Sequence, residues 1–388
     1  MTPGIPPIHI LGAGISGLTL ARCLRNRGIQ SIVYEKSPSP AYHNYGISLQ
    51  PWTCRLLLGV LGIEEGAFVG GVAVDAAKGG RGVLHSERLR GEGGGGGEVL
   101  RAHRGRLEGL LREGVDVRWG HALDGFEAEI ERSSKYGTGF VLNFKDREGV
   151  SVRGGFVVDG LGVHSLVRRS LLPDAGLNVL PYVVFRGTRK IEGRTFKEIY
   201  QDALGGGNVV EMKTGDVLLQ ISVNDYHQDG EGADISCIYS RPARPDDTLH
   251  RPGRSTGEAG NISEAFYREV SQLRELKQPF QDAFDEEKVR KGRTLHWLMR
   301  DLMVPKEELD GLAKKGVLLI GDSAHALPIL GGEGACFAVG DAVKLADAIE
   351  KERVDASYGE MYGEWEGAMK KGRETLARMH EGKPASSL

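Results

Sequence analysis

The chain has 388 residues, 40% of them hydrophobic, enough for two domains or one large one with a real core. Its formal net charge is −3 and it carries no basic run, which argues against a nucleic-acid partner. Cys23, Cys54, Cys237 and Cys336 are scattered without C-x-x-C or metal-ligand spacing, so reduced thiols and no metal centre are expected.

The start, "MTPGIPPIHILGAG", lacks the basic segment and apolar run of a signal peptide. No 18-residue apolar window occurs, so a soluble, cytoplasmic protein without a membrane span is expected. "IHILGAG" (8–14) reads as a short buried strand running into a glycine turn. "ISGLTLARCLRNRG" (15–28) has helical periodicity, and "SIVYEK" (31–36) is a second strand, so the chain opens as a βαβ unit. Gly12, Gly14 and Gly17 form a G-x-G-x-x-G turn. In such a turn the first glycine permits the tight bend, the second leaves room for a pyrophosphate, and the third lets helix and strand pack closely. The helix N-terminus then offers its N–H groups to the phosphates. Glu35, at the end of the second strand, is placed to accept hydrogen bonds from both hydroxyls of an adenosine ribose. This favours FAD or NAD over NADP and leaves the choice between FAD and NAD open.

Further along, "GEGGGGGE" (91–98) reads as a flexible tip, and residues 98–114 as an amphipathic helix. Several strands follow up to residue 160. From about 178, "LPYVVFRGTRKI", "GNVVEMKTGDVLLQISVND" and "ADISCIYSR" predict an antiparallel sheet. Residues 241–261, rich in Pro, Gly and charge, predict a surface loop. The strand "GVLLIG" (316–321) precedes helices over about 334–352 and 356–380. The expected division is a nucleotide-binding part over 1–177, a substrate domain over 178–293, and completion of the first domain with C-terminal helices over 294–388.

"LLIGDSAHALPILGGEGACFAVGDA" (318–342) interrupts a core strand and a helix with an acid, a histidine, a proline and several glycines. FAD is an extended molecule, so its ribityl and ring half needs a second site far from the first turn, whereas an NAD-dependent dehydrogenase has no use for one. Asp322 at the strand end can accept a hydrogen bond from a ribitol hydroxyl. The backbone N–H groups of Gly332, Glu333 and Gly334 at the next helix start can approach the pyrophosphate and the flavin edge that becomes negative on reduction.

These motifs resemble those of the group A FAD-dependent monooxygenases, the aromatic hydroxylases related to p-hydroxybenzoate and salicylate hydroxylase. The family's late motif reads about G-D-A-A-H-x-x-x-P-x-x-G-Q-G-x-N. Here Gly321, Asp322, Ala324, His325, Gly332 and Gly334 match it. "HRGRLEGLL" (103–111) is similar to the family's "vhRadL" helix, which puts Arg104 near the pyrophosphate and ribityl chain. "HWLMRDLMVP" and "PILGGEG" look most like fungal natural-product members. The resemblance spans nearly the whole chain. It implies an α/β fold with a Rossmann-like, glutathione-reductase-type FAD-binding domain and an inserted, mainly antiparallel substrate domain. It also implies that NADPH or NADH reduces FAD, and that O2 then forms a C4a-hydroperoxyflavin. That species hydroxylates or epoxidises a small aromatic or polycyclic substrate of secondary-metabolite type.

Departures from the family pattern are specific. In "DGLGVHSLVRR", Gly162, Ser165, Val167 and Arg168 match the middle motif, but Leu161 occupies its acid position. Asp159, two residues earlier, is a possible stand-in on the same face of an extended segment. Cys336 replaces an asparagine, Glu333 a glutamine, and Ile329 a proline. The flavin carries the hard chemical step, so no catalytic triad is expected; the protein orients substrate and excludes water. Arg186, Tyr182 and His296 are the candidate catalytic residues, with Tyr239 and Trp297 as further pocket candidates. His325 reads as structural, and His43 lies in a segment expected to pass near the ring. Two alternatives stay open: a flavin-dependent reductase or dehydrogenase on the same fold, and a flavin-binding protein without NAD(P)H-driven turnover. Oligomeric state has no signature in the sequence.

Overall fold

β1 (Ile8–Leu11) enters the first glycine turn, the helix Ile15–Asn26 follows, and β2 (Ser31–Glu35) returns parallel to β1, as the alternation of apolar run, glycine and helical period requires. The computed structural model describes residues 6–84, 98–129, 139–146, 148–152, 155–227, 232–331, 333–354 and 357–381. Gly332 and residues 91–97 of the glycine-rich run lie outside them.

β3 (Gly46–Leu49) and β4 (Leu100–His103) pair as an antiparallel ribbon. The single helix expected over 98–114 is therefore a strand followed by a shorter helix, Arg104–Arg112. Leu100 and Ala102 are buried in the core through β4, and the His103 side chain accepts from the Arg106 backbone N–H, which caps the helix start. β5 (Val117–Trp119) adds to β2; β6 (Leu123–Glu129), β7 (Gly139–Phe144) and β8 (Val150–Val152) form a small antiparallel sheet; β9 (Val157–Asp159) returns to β1.

β10 (Asn178–Ile191), β11 (Val209–Thr214), β12 (Val217–Tyr226), β13 (Ala233–Pro242) and β14 (Arg293–Met303) build the antiparallel sheet. β15 (Val317–Leu319) rejoins the parallel sheet beside β9, whose order is β15-β9-β1-β2-β5. β16 (His325–Ala326) closes the antiparallel sheet in the order β11-β12-β13-β10-β14-β16. The boundary expected at 293/294 is corrected here. β14 pairs along β10 and so belongs to the antiparallel sheet, to which the chain returns once more with β16.

Both faces of the parallel sheet are covered, so its strands are near-continuously buried: Ile8, Ile10, Leu11, Val157, Val158, Leu318 and Leu319 are at or near zero exposure. The antiparallel sheet alternates. Phe185, Cys237, Tyr239 and Ile221 face one way and pack with Phe266 and Phe280. Val184, Ile238, Leu218 and Met299 face the other way and meet Leu330 and the last turns of the helix Ser357–His380. The second face looks toward the glycine turns.

Candidate active site

Gly12 has φ +98, and a Cβ there would lie 2.6 Å from the Gly160 carbonyl oxygen, so only glycine fits. A Cβ on Gly17 would overlap the Gly12 carbonyl oxygen. Gly14 is different. A Cβ there would meet nothing nearer than an Arg104 nitrogen at 3.9 Å, so the protein leaves open space beside this backbone. Gly14 is also the N-cap of its helix and supplies no side-chain cap, which leaves the first N–H groups of the helix free toward that space. Glu35 steadies the turn: one carboxylate oxygen accepts from Ala13 N–H at 2.9 Å, the other from Ser37 N–H and Oγ.

The late motif stands opposite. Gly321 adopts φ +60 and donates its N–H to Asp341 at 2.8 Å. Asp341 also accepts from Trp365 Nε1 and pairs with His325 Nε2 at 2.6 Å, while the His325 ring stacks on Trp365. His325 is thus buried behind the turn as a structural group. Asp322 is the contrast. Its side chain is open to the cavity and makes no hydrogen bond to any described residue, yet the surrounding walls desolvate it and raise its pKa, with His325, Arg104 and Arg168 opposing. Glu333 caps the helix Gly334–Glu350 without a side-chain hydrogen bond to it, because its carboxylate is held by Gln50 and Lys371.

A cavity of about 360 Å³ connects these groups. At one end lie Gly14, Ile15, Ser16, Arg104, Gly160, Asp322 and Gly334; at the other lie Arg186, Ser222, Asn224, Ser236, Ile238 and Trp297 of the antiparallel sheet. Arg104 is held by Glu108 at 2.8 Å and by the Tyr45 hydroxyl. Leu327, Pro328 and Leu330 add apolar surface to its lining.

A family model described as an NAD(P)-binding Rossmann-like domain matches residues 10–63. The FAD-dependent monooxygenase adaC of Aspergillus niger is 32% identical across 97% of this chain and 94% of its own length. The chain belongs to the FAD-dependent monooxygenases. A second relative of this monooxygenase, the FAD-dependent monooxygenase aptC of Emericella nidulans, is 31% identical over 92% of this chain and 90% of its own. Among solved structures, 2,6-dihydroxypyridine-3-hydroxylase from Arthrobacter nicotinovorans superposes with a TM-score of 0.72, at 20% identity, over 99% of this chain and 95% of that one. The family and the α/β fold expected from the sequence are both borne out.

The monooxygenase has groups suited to FAD. The open space beside Gly14, the unpartnered Asp322 and the two helix starts without side-chain caps are what an extended dinucleotide needs. Asp159, two residues before Leu161, faces inward rather than into the cavity. It is fully buried, accepts from Leu161 N–H and the Ser165 hydroxyl, and is pushed up to about 6 by burial, with those bonds opposing. It ties the middle motif together, and Arg168 links the same loop to the late motif through the Ser323 carbonyl at 3.0 Å. Cys336 is also used: it accepts from Gln50 N–H and lies 3.6 Å from the Ser48 carbonyl, so the thiol joins the late helix to β3.

On the sheet side, the monooxygenase separates the expected catalytic residues. Arg186 and Trp297 line the cavity. His296 is corrected. It is one residue out of phase with Trp297, pairs across to Phe185, and stacks on that ring at 4.8 Å on the far side of the sheet. Burial lowers it to about 4, and Nε2 has no partner. Tyr239 is on the same far side. Tyr182 shares the Arg186 face but does not border the cavity; four residues back along β10, its ring packs against His380 at 4.9 Å. His43 pairs with Glu108 outside the cavity lining. Sequence reasoning missed Arg101, Ser222, Asn224 and Ser236. For Arg101 the signal was present: it alternates with the buried Leu100 and Ala102 once 100–103 is read as a strand.

Proposed function

We propose that this chain is an NAD(P)H-dependent monooxygenase that inserts one oxygen atom of O2 into a small aromatic or polycyclic compound held between the glycine turns and the antiparallel sheet. The observation that carries this reading is the single cavity with dinucleotide-binding backbone at one end and a mixed apolar and polar sheet face at the other. FAD, when bound and reduced, supplies the activation of O2.

The chain's own residues do the rest. The turn through Gly12, Gly14 and Gly17 and the N–H groups of Ile15 and Ser16 receive the pyrophosphate, with Arg104 adding positive charge. Glu35 has lone pairs left for ribose hydroxyls beyond those used by Ala13 and Ser37. Asp322 accepts from the ribitol. The helix start at Glu333 and Gly334 lends its dipole to the flavin edge, with Glu333 contributing its backbone rather than its tethered carboxylate. Arg186, stacked 5.4 Å from the Tyr45 ring and 5.2 Å from the Trp297 ring, orients the substrate. Ile238, Trp297, Leu327 and Leu330 exclude water from the reacting face.

The test is to load the purified protein with FAD and follow NADH and NADPH oxidation in the presence of aromatic and polycyclic compounds under ¹⁸O₂. One ¹⁸O atom per product molecule is the expected result. Substrate reduction without oxygen incorporation indicates the reductase reading, and no oxidation of either nucleotide with any compound removes turnover altogether.

A further inference from the structure

Two arginines meet at the sheet end of the cavity from different parts of the fold. Arg186 comes from β10 and donates through Nη2 to Ser236 Oγ at 2.7 Å. Arg101 comes from β4 and reaches Ser222 Oγ at 3.2 Å through Nη2 and Ser48 Oγ at 3.4 Å through Nη1. Ser222 and Ser236 are direct cross-strand partners on β12 and β13. Side chains so paired stand roughly 5 Å apart at Cβ, so the two guanidiniums are neighbours. Both border the same cavity.

The pair is built and left without counter-charge. Gly46 lies against the Arg101 guanidinium so closely that any Cβ there would overlap it. Asn224 exchanges hydrogen bonds with Ser236 and holds that hydroxyl in place. Other arginines nearby have acids: Arg104 has Glu108 and Arg106 has Asp225. Among the described residues Arg101 and Arg186 have none; their hydrogen-bond acceptors are hydroxyls. Arg101 Nε has no partner at all. Burial and the neighbouring Arg186 lower Arg101 to about 10, and burial also lowers Arg186. Two desolvated like charges side by side are unfavourable unless an anion joins them.

We propose that Arg101 and Arg186 form a clasp for an oxyanion of the substrate, making Arg101 a specificity-determining residue for aromatic compounds that carry a carboxylate or phenolate at that end. The assignment rests on the reading of this cavity as the substrate site. Planar guanidinium forks suit such oxygens, and charge-assisted bonds are about twice as strong as neutral ones.

The test uses the FAD-loaded protein and perturbation of the flavin absorbance to measure Kd, with no turnover required. Two matched pairs serve as probes: 2-naphthoate against its methyl ester, and 2-naphthol against 2-methoxynaphthalene. At least one acidic member is expected to bind about 10- to 100-fold tighter than its neutral partner, and which pair shows the preference separates carboxylate from phenolate recognition. Arg101→Gln is expected to erase the preference and leave the neutral Kd unchanged, while Arg101→Lys retains part of it; thermal melting checks that each variant is folded. The clasp is overturned if neither pair shows a preference, including the case of no spectral response to the acids. It is also overturned if Arg101→Gln weakens charged and neutral probes alike, as a residue serving the flavin would do. Failure of NAD(P)H-driven oxygen insertion in the presence of an intact acid preference would instead sink the monooxygenase reading and leave the clasp standing.

Discussion

At the dinucleotide end of the cavity the inward-facing groups are mostly backbone: the turn around Gly14, the uncapped helix starts, and a single free carboxylate, Asp322. At the sheet end they are side chains from successive strands, with Arg101 arriving from the β3–β4 ribbon. The first kind of site needs contiguous residues with unusual backbone freedom. The second needs correct strand register, and one residue of slip turns a cavity residue into a core residue. His296 and Trp297 are adjacent in sequence and end on opposite faces.

That contrast can be tested most severely at the first turn. Gly17→Ala forces a Cβ into the Gly12 carbonyl, so the apoprotein should lose its cooperative melting transition or fall well below the wild-type Tm. Gly14→Ala should melt like wild type, since nothing lies within 3.9 Å of the new methyl, yet bind FAD at least ~10-fold more weakly by fluorescence titration. Equal effects of the two substitutions would erase the distinction between a packing glycine and a ligand-facing one.

Asp322→Ala comes next. The carboxylate makes no hydrogen bond to the described protein, so stability should not fall, while FAD affinity drops about 10- to 100-fold. At the sheet end, Arg186→Met should lower kcat/KM by about 10- to 100-fold for a turned-over substrate, and His296→Phe should leave it within about two-fold. A large loss in His296→Phe would mean that the far face of the sheet communicates with the chemistry.

The last effect is a pH dependence of stability rather than of activity. Burial, with Arg254 and Arg251 nearby, disfavours the charged ring of folded His296 and lowers its pKa from 6.5 to about 4. Below pH 6.5 the unfolded chain therefore takes up a proton that the folded one refuses, and stability falls as pH falls from 6.5 toward 4. The contribution is fully present above 6.5 and is lost as pH falls through the window down to about 4. His296→Phe should flatten that limb of the Tm-against-pH curve without changing the plateau near pH 8 by more than the packing difference.

The βαβ opening, the glycine turn and the placement of Glu35 and Asp322 at strand ends were legible in the sequence, because each is specified by neighbours within a few residues: apolar alternation, a glycine where φ must be positive, an acid at a strand end; Arg104 came from the resemblance of its helix to a family motif. What only the tertiary structure decided is which side chains share a space. Tyr182, four residues from Arg186 along the same face of β10, meets His380 rather than the cavity, and pairing of β14 with β10 turns His296 away from it. Burial makes Asp159 a tie within its loop, and the packing of the late helix on β3 gives Cys336 its contacts. Arg101 and Arg186 meet because β4 crosses to the serines paired on β12 and β13. A local pattern sets the backbone, but charge neighbours far apart in the chain are set by sheet register and by the crossing of separately folded layers.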